Sequence, residues 1–384
     1  MPLRISPAWL DRAGPQDVMA ALGRAGHRAW FVGGCVRNAL LKQPGSDIDI
    51  ATTARPEQTV AAAEAAGLRP VPTGAEHGTI TVVAGGEGYE VTTLRRDVET
   101  DGRRAVVSFS HRIEEDAARR DFTMNALYAE ADGSVVDPLG GLPDLRAGRV
   151  RFIGSAEQRI REDYLRILRF FRFTAWYGSD GPDPDGLAAC AALAEGLERI
   201  AAERKGQEMK KLLAAPDPAP VMATMAQSGV LPHVLPGAVA AALAPLVHHE
   251  HGLAPDPIRR LAVLGGTDPA AALRLSKAEA RRLQLYRGVL ERGDSPGRIA
   301  HEHGPDRARD AALIAAALTG QPPMPGLEEA IARGAAARFP VSSKDLIARG
   351  YEGAALGQRL QILKEAWIGA GFAMTRAELL ALPD

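Results

Sequence analysis

The apolar pattern of the chain changes near residue 150, and this change constrains the fold more than any other feature. Up to that point, short runs rich in β-branched and aromatic residues alternate with turns and helical stretches, as at residues 30–32, 79–83 and 89–94. Beyond Gly154 these runs disappear, and Ala, Leu, Arg and Glu at helical spacing take over between proline-rich breaks. The sequence therefore predicts an α+β fold, in which a mixed sheet is followed by an all-helical part.

Length and composition exclude several classes of protein. A chain of 384 residues with 46% hydrophobic residues can bury at least two cores, so we expect several domains. The two cysteines, Cys35 and Cys190, are too far apart in sequence to suggest a disulfide framework or a zinc cluster. The first residues lack the apolar core of a signal peptide, and no stretch approaches the roughly 18 apolar residues of a membrane span. We therefore expect a cytoplasmic protein.

Charge is balanced over the whole chain but clustered locally. Lys and Arg number 46 and Asp and Glu number 47, so the net charge of -1 argues against a protein that coats nucleic acid through overall positive charge. Any polyanion must therefore meet a local basic surface. Arginine is concentrated in residues 95–120 and 159–172, although such clusters are also typical of solvated helix faces.

Two aspartates separated by one residue, Asp47 and Asp49, are the first candidates for a chemical site. In a strand both carboxylates would lie on one face and Ile48 on the other, because side chains alternate along a strand. Neighbouring carboxylates repel each other unless a cation lies between them, and Mg²⁺ takes oxygen ligands and serves phosphoryl transfer. A solvated turn is the alternative for an isolated pair of this kind.

A glycine turn upstream of the aspartates favours the chemical interpretation. Residues 31–37, Phe-Val-Gly-Gly-Cys-Val-Arg, have the form of a strand that ends in a glycine turn and opens a helix. Free amides in such a turn can hold a triphosphate, and Arg37 would add charge-assisted contacts to the same oxygens. Most Gly-Gly pairs only make tight turns, but the combination with Asp47 and Asp49 shortly after it is specific.

The turn and the aspartate pair together resemble a known motif. Residues 33–37 followed by residues 47–52, Asp-Ile-Asp-Ile-Ala-Thr, are similar to the first motif of the family of class II tRNA nucleotidyltransferases and bacterial poly(A) polymerases, whose head belongs to the DNA polymerase β-like superfamily. Family members usually carry Asp after the Val-Arg pair, where this chain has Asn38. The resemblance implies a nucleotidyltransferase head at residues 1–150 with a mixed sheet, in which Asp47 and Asp49 bind the metal.

Two later segments agree with the same family. Glu90 matches the strand that carries the superfamily's third acidic residue, which implies a general base or a further metal contact; an exposed strand glutamate is the alternative. Residues 119–127, Arg-Arg-Asp-Phe-Thr-Met-Asn-Ala-Leu, resemble the second motif, in which the arginine before Asp contacts the nucleotide. The resemblance assigns triphosphate binding to three residues, Gly34, Arg37 and Arg120.

The segment at residues 158–173 predicts one amphipathic helix. At about 100° per residue its apolar residues gather in one arc, and Asp163 projects between Ile167 and Phe170. An ionised carboxylate there must find a partner, and an internal ion pair with Arg166, one turn on, would supply it. Alternatively, the two side chains present fixed donors and acceptors to the Watson–Crick edge of cytosine or adenine, which guanine would not match.

The residues around this pair match a further family motif. Residues 162–169, Glu-Asp-Tyr-Leu-Arg-Ile-Leu-Arg, resemble the segment in which the Asp and the first Arg select CTP and then ATP, so Asp163 and Arg166 would replace a nucleic-acid template. By the same resemblance, Arg169 and Arg172 would face the triphosphate or complete the pocket. Residues 95–107 are polar and turn-forming and predict a mobile loop beside the site, which the resemblance associates with addition of the final A.

The helical half gives weaker signals. The resemblance implies a helical neck at residues 151–215, with the base-selecting helix, and a helical body and tail at residues 216–384 that bind tRNA. The His-His-Glu-His segment at residues 248–251 invites a metal site, but a solvated loop is the better account. Phosphate contacts by Lys344, Arg349 and Arg359 are less favoured than ordinary solvated helix ends.

The resemblance implies an enzyme that adds CCA to the 3′ end of tRNA. The tRNA 3′ hydroxyl would attack the α-phosphate of CTP twice and then that of ATP, releasing pyrophosphate each time, with Mg²⁺ as the cofactor. The alternatives are a bacterial poly(A) polymerase of the same family, which would use ATP alone, and a catalytically silent RNA-binding relative. No segment of the sequence stands out as an interface between copies of the chain, so a monomer is favoured.

Overall fold

The structure is a computed structural model that describes residues 3–45, 47–101 and 104–383. Its strands are β1 (Ala29–Val32), β2 (Asp49–Thr52), β3 (Arg69–Gly74), β4 (Thr79–Ala84), β5 (Glu87–Thr93), β6 (Arg95–Asp101), β7 (Arg104–Phe109), β8 (Tyr128–Ala129) and β9 (Val135–Val136). Short 3₁₀ turns lie at Ala75–His77, Thr123–Asn125 and Ala194–Arg199.

The helices up to Leu213 are α1 (Ala13–Arg24), α2 (Gly34–Leu40), α3 (Pro56–Ala65), α4 (Ile113–Ala118), α5 (Leu142–Arg146), α6 (Ala156–Glu162), α7 (Leu165–Tyr177), α8 (Pro184–Ala192) and α9 (Ala202–Leu213). The later helices are α10 (Ala219–Gln227), α11 (Leu231–Val234), α12 (Leu243–His249), α13 (Pro257–Leu264), α14 (Pro269–Ala272), α15 (Lys277–Glu291), α16 (Pro296–His303), α17 (Pro305–Thr319), α18 (Leu327–Ala336), α19 (Ser343–Ile347), α20 (Gly353–Gly369) and α21 (Arg376–Leu380).

Seven strands form one mixed sheet in the order β3-β4-β5-β2-β1-β8-β9. The antiparallel hairpin of β4 and β5 confirms the pairing predicted for residues 79–83 and 89–94. β2 lies between β1, its antiparallel neighbour, and β5, its parallel neighbour. A parallel pair needs a crossover connection, and here α3, β3 and β4 make that crossover between β2 and β5. Segments about 40 residues apart in sequence therefore lie side by side at the centre of the sheet.

A buried apolar cluster fixes the central strands. Trp30 and Val32 of β1 lie in it together with Ala51 of β2, Tyr128 of β8 and Leu94, which follows β5. Trp30 and Val32 share one face of β1 because side chains two residues apart point the same way. Full burial of a large apolar side chain stabilises the fold by about 1.5–3 kcal/mol. The cluster therefore opposes any slippage of β1 against β2.

The predicted strand around the aspartate pair begins later than expected. β2 starts at Asp49, while Asp47 lies in the irregular segment that leads into it and is exposed. The expectation that Asp47 and Asp49 share one face of a strand is therefore wrong. The reason is that β1 ends at Val32, paired with Asp49, and the chain then turns at Gly33 into α2. No residue of β1 is left to pair with Asp47.

The segment predicted as a loop at residues 95–107 is a two-stranded antiparallel ribbon of β6 and β7. The loop prediction is wrong for residues 95–101 and 104–107, while residues 102 and 103 lie outside the described residues. The polar composition of β6 concealed the strand. Its partner β7 carries a Val-Val pair at residues 106–107, and β-branched residues favour strands.

The single helix predicted for residues 158–173 is interrupted. α6 ends at Glu162, Asp163 has an extended backbone with φ -154 and ψ 105, and α7 begins at Leu165. The Asp163 carboxylate caps the new helix, since its Oδ1 accepts the amide of Leu165 at 3.1 Å. The apolar arc is as predicted, because Ile167 and Phe170 are fully buried.

Contacts divide the chain into two compact units, residues 1–212 with 227–234 and residues 213–226 with 235–384. The sheet lies in the first unit, and the elements of the second, among its described residues, are helices joined by loops. The predicted α+β class, a mixed-sheet head followed by helices, is confirmed. None of the helices in the described part of the chain combines the length and apolar character that a bilayer crossing requires.

The second unit contains a buried ionic cluster that the sequence did not reveal. Glu250, expected in a solvated loop, is 4% exposed and accepts hydrogen bonds from Arg259 at 2.6 Å and Arg260 at 2.8 Å. The solvated-loop account of residues 248–251 is therefore wrong for this residue. Arg349 and Arg359, considered for phosphate contacts, instead donate to backbone carbonyls near the end of the chain.

Candidate active site

Three carboxylates, those of Asp47, Asp49 and Glu90, lie near one another where the central strand β2 begins, and they define the sheet edge of the candidate site. Asp49 at the start of β2 is in register with Glu90 of β5, and Asp47 lies two residues before it. Burial raises the pKa of Asp49 to about 6, and the nearby charges of Glu90 and Asp47 add to the effect, while Arg120 opposes it. Asp47 and Glu90 are exposed. The fold thus places Glu90 and Asp47 close enough to Asp49 for their charges to act on it.

The donor set fits a hard divalent cation. No group of three or more His, Cys, Asp or Glu side chains in the described residues forms a ready-made metal cage. Mg²⁺ in nucleotide enzymes is commonly held by one or two carboxylates, with phosphate oxygens and water completing the shell. An incomplete set of carboxylates, one of them half-buried and repelled by its neighbours, suits a cation that arrives with a triphosphate.

A glycine turn joins β1 to α2 as the sequence predicts. Gly33 has φ 74 and ψ -120, a conformation that favours glycine, and Gly34 is the first residue of α2. The amides of a first helical turn have no partner within the helix and point out of its N-terminus. A Cβ atom at Gly33 would lie 3.4 Å from Nη1 of Arg120, so this guanidinium flanks the turn.

Arg120 is fixed from behind by two buried side chains. Its Nη2 donates to Asp116 Oδ2 at 3.0 Å, and its Nε donates to the hydroxyl of Tyr128 at 3.2 Å. Asp116 is 2% exposed, and although burial lowers the pKa of Arg120, the Asp116 carboxylate and the hydrogen bonds to Tyr128 and Asp116 raise it above its ordinary value. The guanidinium therefore stays charged and oriented, with Nη1 towards the glycine turn.

Arg37 is placed differently from the expectation. It is 6% exposed, and its nitrogens donate to Asn125 Oδ1 at 2.5 Å, to the Tyr177 hydroxyl at 2.8 Å and to Asn38 Oδ1 at 2.9 Å. Burial lowers the pKa of Arg37. A direct contact with triphosphate oxygens, as the sequence suggested, does not fit this enclosed guanidinium, because four of its five N–H donors have acceptors inside the protein.

The base-selecting candidates do not pair with each other in this structure. Asp163 Oδ2 accepts from Arg204 at 2.7 Å, and its side chain is 32% exposed. Arg166 Nη1 donates to Glu162 at 2.6 Å. The ion pair between Asp163 and Arg166 that the sequence allowed is therefore replaced by two separate pairs. Arg204 lies on α9, too far along the chain for sequence reasoning to identify it.

The two later arginines of α7 also have carboxylate partners. Arg169 donates to Asp121 Oδ2 through Nε at 2.8 Å, and Arg172 donates to Glu208 Oε2 at 2.6 Å. Asp121 is 7% and Glu208 5% exposed, so these are buried acids. The sequence could have suggested Asp121, which follows Arg120 directly, but it gave no signal for Glu208.

A cavity of about 450 Å³ in the first unit lies apart from these residues. It is lined by Thr123, Arg151, Phe152, Asp183 and Gly186 among others, and by none of the predicted site residues. Its size is not evidence of function, because the groups with perturbed pKa values and converging charges are at the sheet edge.

Comparisons with known proteins agree on one family. Residues 29–151 match the profile described as "Poly A polymerase head domain", and residues 182–241 match "Probable RNA and SrmB- binding site of polymerase A". The mitochondrial CCA tRNA nucleotidyltransferase 1 of Mus musculus is 35% identical over 96% of this chain and 89% of its own length. The chain belongs to the CCA tRNA nucleotidyltransferase family. The human member is 35% identical over 92% of this chain and 86% of its own length.

Solved members of the CCA tRNA nucleotidyltransferase family share the fold. The crystal structure of the Bacillus stearothermophilus CCA-adding enzyme in complex with CTP has a TM-score of 0.75 and 29% identity, over 93% of this chain and 92% of that one. The Thermotoga maritima CCA-adding enzyme complexed with tRNA has a TM-score of 0.67 and covers 94% of this chain and 93% of that one; at 19% identity it supports the fold alone. The family is one of metal-dependent nucleotidyltransferases.

Proposed function

We propose that this chain completes the 3′ end of tRNA with CCA, using CTP and ATP and no nucleic-acid template. The observation that carries the proposal is the convergence at the sheet edge, where Asp49 lies opposite Glu90 and Arg120 flanks the glycine turn. Relatives that cover nearly the whole chain are named for the same reaction, and one solved relative holds CTP, which supports the same substrates.

The three carboxylates at the sheet edge would catalyse the nucleotidyl transfer. Asp47 and Asp49 would supply carboxylate ligands to Mg²⁺, and Glu90 would accept the proton of the attacking hydroxyl or complete the ligand set. When bound, the ion lowers the pKa of that hydroxyl and neutralises charge that develops on the phosphates. The tRNA 3′ oxygen forms a bond to the α-phosphorus as the bond to the β-phosphate oxygen breaks, and pyrophosphate leaves.

The glycine turn and Arg120 would orient the triphosphate. The amides that begin α2 at Gly34 can donate to phosphate oxygens, and the Nη1 of Arg120 lies beside them. Arg169 and Arg172 are engaged with buried carboxylates, so we assign them to support of the pocket rather than to direct phosphate contact.

Replacing Arg120 with glutamine should raise the KM for CTP and for ATP alike. A hydrogen bond to a charged group contributes about 1.5–3 kcal/mol, which corresponds to roughly a 10- to 100-fold increase. Steady-state kinetics with each nucleotide would measure it. Arg161→Gln is the matched control, since Arg161 forms an exposed ion pair with Glu157 on α6 and should leave both KM values unchanged. An effect on one nucleotide only would contradict a triphosphate role.

Asp163 and Arg166 would select the base. The Asp163 carboxylate is half-buried at the start of α7, and each of its oxygens keeps a second lone pair beyond the contacts it makes. One lone pair can accept the amino group of cytosine or adenine, while a free N–H of Arg166 donates to the neighbouring ring nitrogen. Uracil and guanine present a carbonyl and an N–H at these places and would leave both protein groups mismatched.

The function is tested with a tRNA transcript that lacks its terminal CCA. We expect CTP alone to add two nucleotides, CTP with ATP to add three, and ATP alone to add none to this end. The matching profiles are named for poly(A) polymerase, so that activity is the competing outcome: it would appear as ATP-only extension of many RNAs. Failure to use either nucleotide with Mg²⁺ present would indicate a silent RNA-binding relative.

We further propose that the chain acts as a monomer in the cytoplasm, with tRNA as its macromolecular partner. Within the two compact units, the finer division into a head at residues 1–150, a neck at 151–215 and a body and tail at 216–384 follows the family pattern. Size-exclusion chromatography with light scattering, with and without tRNA, tests the monomer.

A further inference from the structure

Arg37 joins the helix that opens at the glycine turn to the helix that begins at the base-selecting carboxylate. It lies one turn into α2, and its guanidinium is enclosed by side chains of α7. The ring of Tyr177 stacks on it with the guanidinium carbon 4.2 Å from the ring centroid, and the ring of Phe173 lies at 5.1 Å. Cation–π contacts of this kind are worth more when the cation is removed from water.

A second connection runs from Arg37 to the same helix. Asn125 accepts from Arg37 and donates to Asp121 Oδ1 at 3.0 Å, and Asp121 in turn accepts from Arg169 of α7. Arg169, Phe173 and Tyr177 are spaced by four residues, so they lie on one face of α7. The attachment extends over eight residues, or about 12 Å of helix.

The acceptors closest to Arg37 are neutral. Asn38 occupies the position where the family usually has Asp, and it accepts two hydrogen bonds from Arg37 through Oδ1, at 3.1 Å and 2.9 Å. Tyr177 accepts a third. Arg37 is therefore oriented by acceptors for four of its five N–H groups and by two aromatic rings, which leaves little of the guanidinium for an external anion.

We infer that Arg37 is a positioning residue, and that Tyr177 is the side chain through which it holds the glycine turn of α2 in fixed register with Asp163 and Arg166 of α7. The inference rests on the proposed function and deepens it. Selection of a base requires the pair on α7 to meet the nucleotide whose phosphates lie at the turn, and an error of about 1 Å in such placement is costly. A rigid link between α2 and α7 fixes that distance.

A binding measurement that needs no catalysis separates positioning from phosphate contact. Tripolyphosphate with Mg²⁺ is titrated into the wild-type protein, Arg37→Gln and Arg120→Gln. We expect the Kd to stay within about threefold for Arg37→Gln and to rise at least about tenfold for Arg120→Gln, which loses a charge-assisted bond. Equal weakening by the two variants would overturn the inference. Because the probe carries no base and no reaction occurs, the result stands whether or not the chain adds CCA.

A milder variant tests the link to base choice and keeps the fold. Tyr177→Phe removes the hydroxyl and retains the ring, and we expect the preference for CTP over UTP, measured as a ratio of kcat/KM on the truncated tRNA, to fall about 5- to 10-fold, the effect of about 1 kcal/mol. Tyr286→Phe is the matched control, since Tyr286 is a fully buried hydroxyl of the second unit bonded to Asp310. An unchanged preference in Tyr177→Phe, or an equal fall in the control, would overturn the inference.

Discussion

Asp49→Asn is expected to lower kcat for CTP addition at least about 1,000-fold, because a metal ligand that contributes several kcal/mol of charge stabilisation to the transition state is lost. Asparagine keeps the size of the side chain and the backbone pairing of β2 with Glu90 on the next strand. Single-turnover incorporation with saturating CTP measures the loss. Asp132→Asn is the control, since Asp132 lies in an exposed turn bonded to Arg4 and should leave kcat unchanged.

The same substitution should stabilise the metal-free protein, because Asp49 is a half-buried carboxylate beside two other acids and has no cation there to offset its charge. The pKa of Asp49 is raised from 3.8 to about 6 in the folded protein. The free energy of unfolding therefore falls as pH rises from 3.8 to about 6, and above pH 6 the whole destabilisation by the ionised carboxylate is present. Asp49→Asn should therefore raise the free energy of unfolding by on the order of 2 kcal/mol at pH 8 and leave it unchanged at pH 3.5. Urea unfolding with EDTA at both values measures the difference. A variant less stable than wild type at pH 8 would contradict the assignment.

Replacing Asp163 with asparagine is expected to reduce the preference for CTP over UTP by roughly 100-fold, the effect of one hydrogen bond to a charged group at about 3 kcal/mol. The amide can turn its NH₂ group towards the carbonyl of uracil, which the carboxylate repels. kcat/KM for each of the four nucleoside triphosphates on the truncated tRNA gives the ratio. Equal nucleotide preferences in the variant and the wild type would contradict the assignment of Asp163 to base selection.

Comparison of two substitutions separates base recognition from helix capping at this position. Asp163 accepts the amide of Leu165, and loss of such a cap costs about 1 kcal/mol. Asparagine keeps a capping oxygen and alanine does not. Asp163→Ala should therefore lose stability as well as selectivity, whereas Asp163→Asn should lose selectivity alone. If both variants lost only stability, the carboxylate would be a cap and nothing more.

The sequence predicted the chemistry of the sheet edge better than its geometry. Asp47, Asp49 and the glycine turn were recognisable because residue type and local spacing carry the signal. The pairing of Asp49 with Glu90 was not, since it depends on a parallel register between β2 and β5, and strands distant in sequence reveal nothing about their mutual alignment. Asp47 lies outside β2 because β1 ends at Val32, the partner of Asp49, and this end of the pairing also cannot be read from the local sequence.

Arginines were the least predictable part of the site. Arg37 and Arg120 follow similar motif signals, yet one is enclosed by Asn38 and Tyr177 and the other flanks the turn. Whether an arginine meets a ligand depends on which acids and rings fold against it, and Glu208 lies 36 residues beyond Arg172. The break at Asp163 was missed for a related reason, because no proline or glycine marks it and a capping carboxylate competes with helix continuation.

The position of β2 between two hydrogen-bonded neighbours has a consequence for how the enzyme can move. A one-residue slip would turn the half-buried Asp49 side chain to the opposite face of the sheet, because successive side chains of a strand point to opposite faces. Asp49 and Glu90 therefore keep their relative positions as long as β2 and β5 stay paired. Pyrimidine and purine rings differ in size, and the paired strands cannot adjust to that difference; the break between α6 and α7, which carries Asp163, has no such strand pairing.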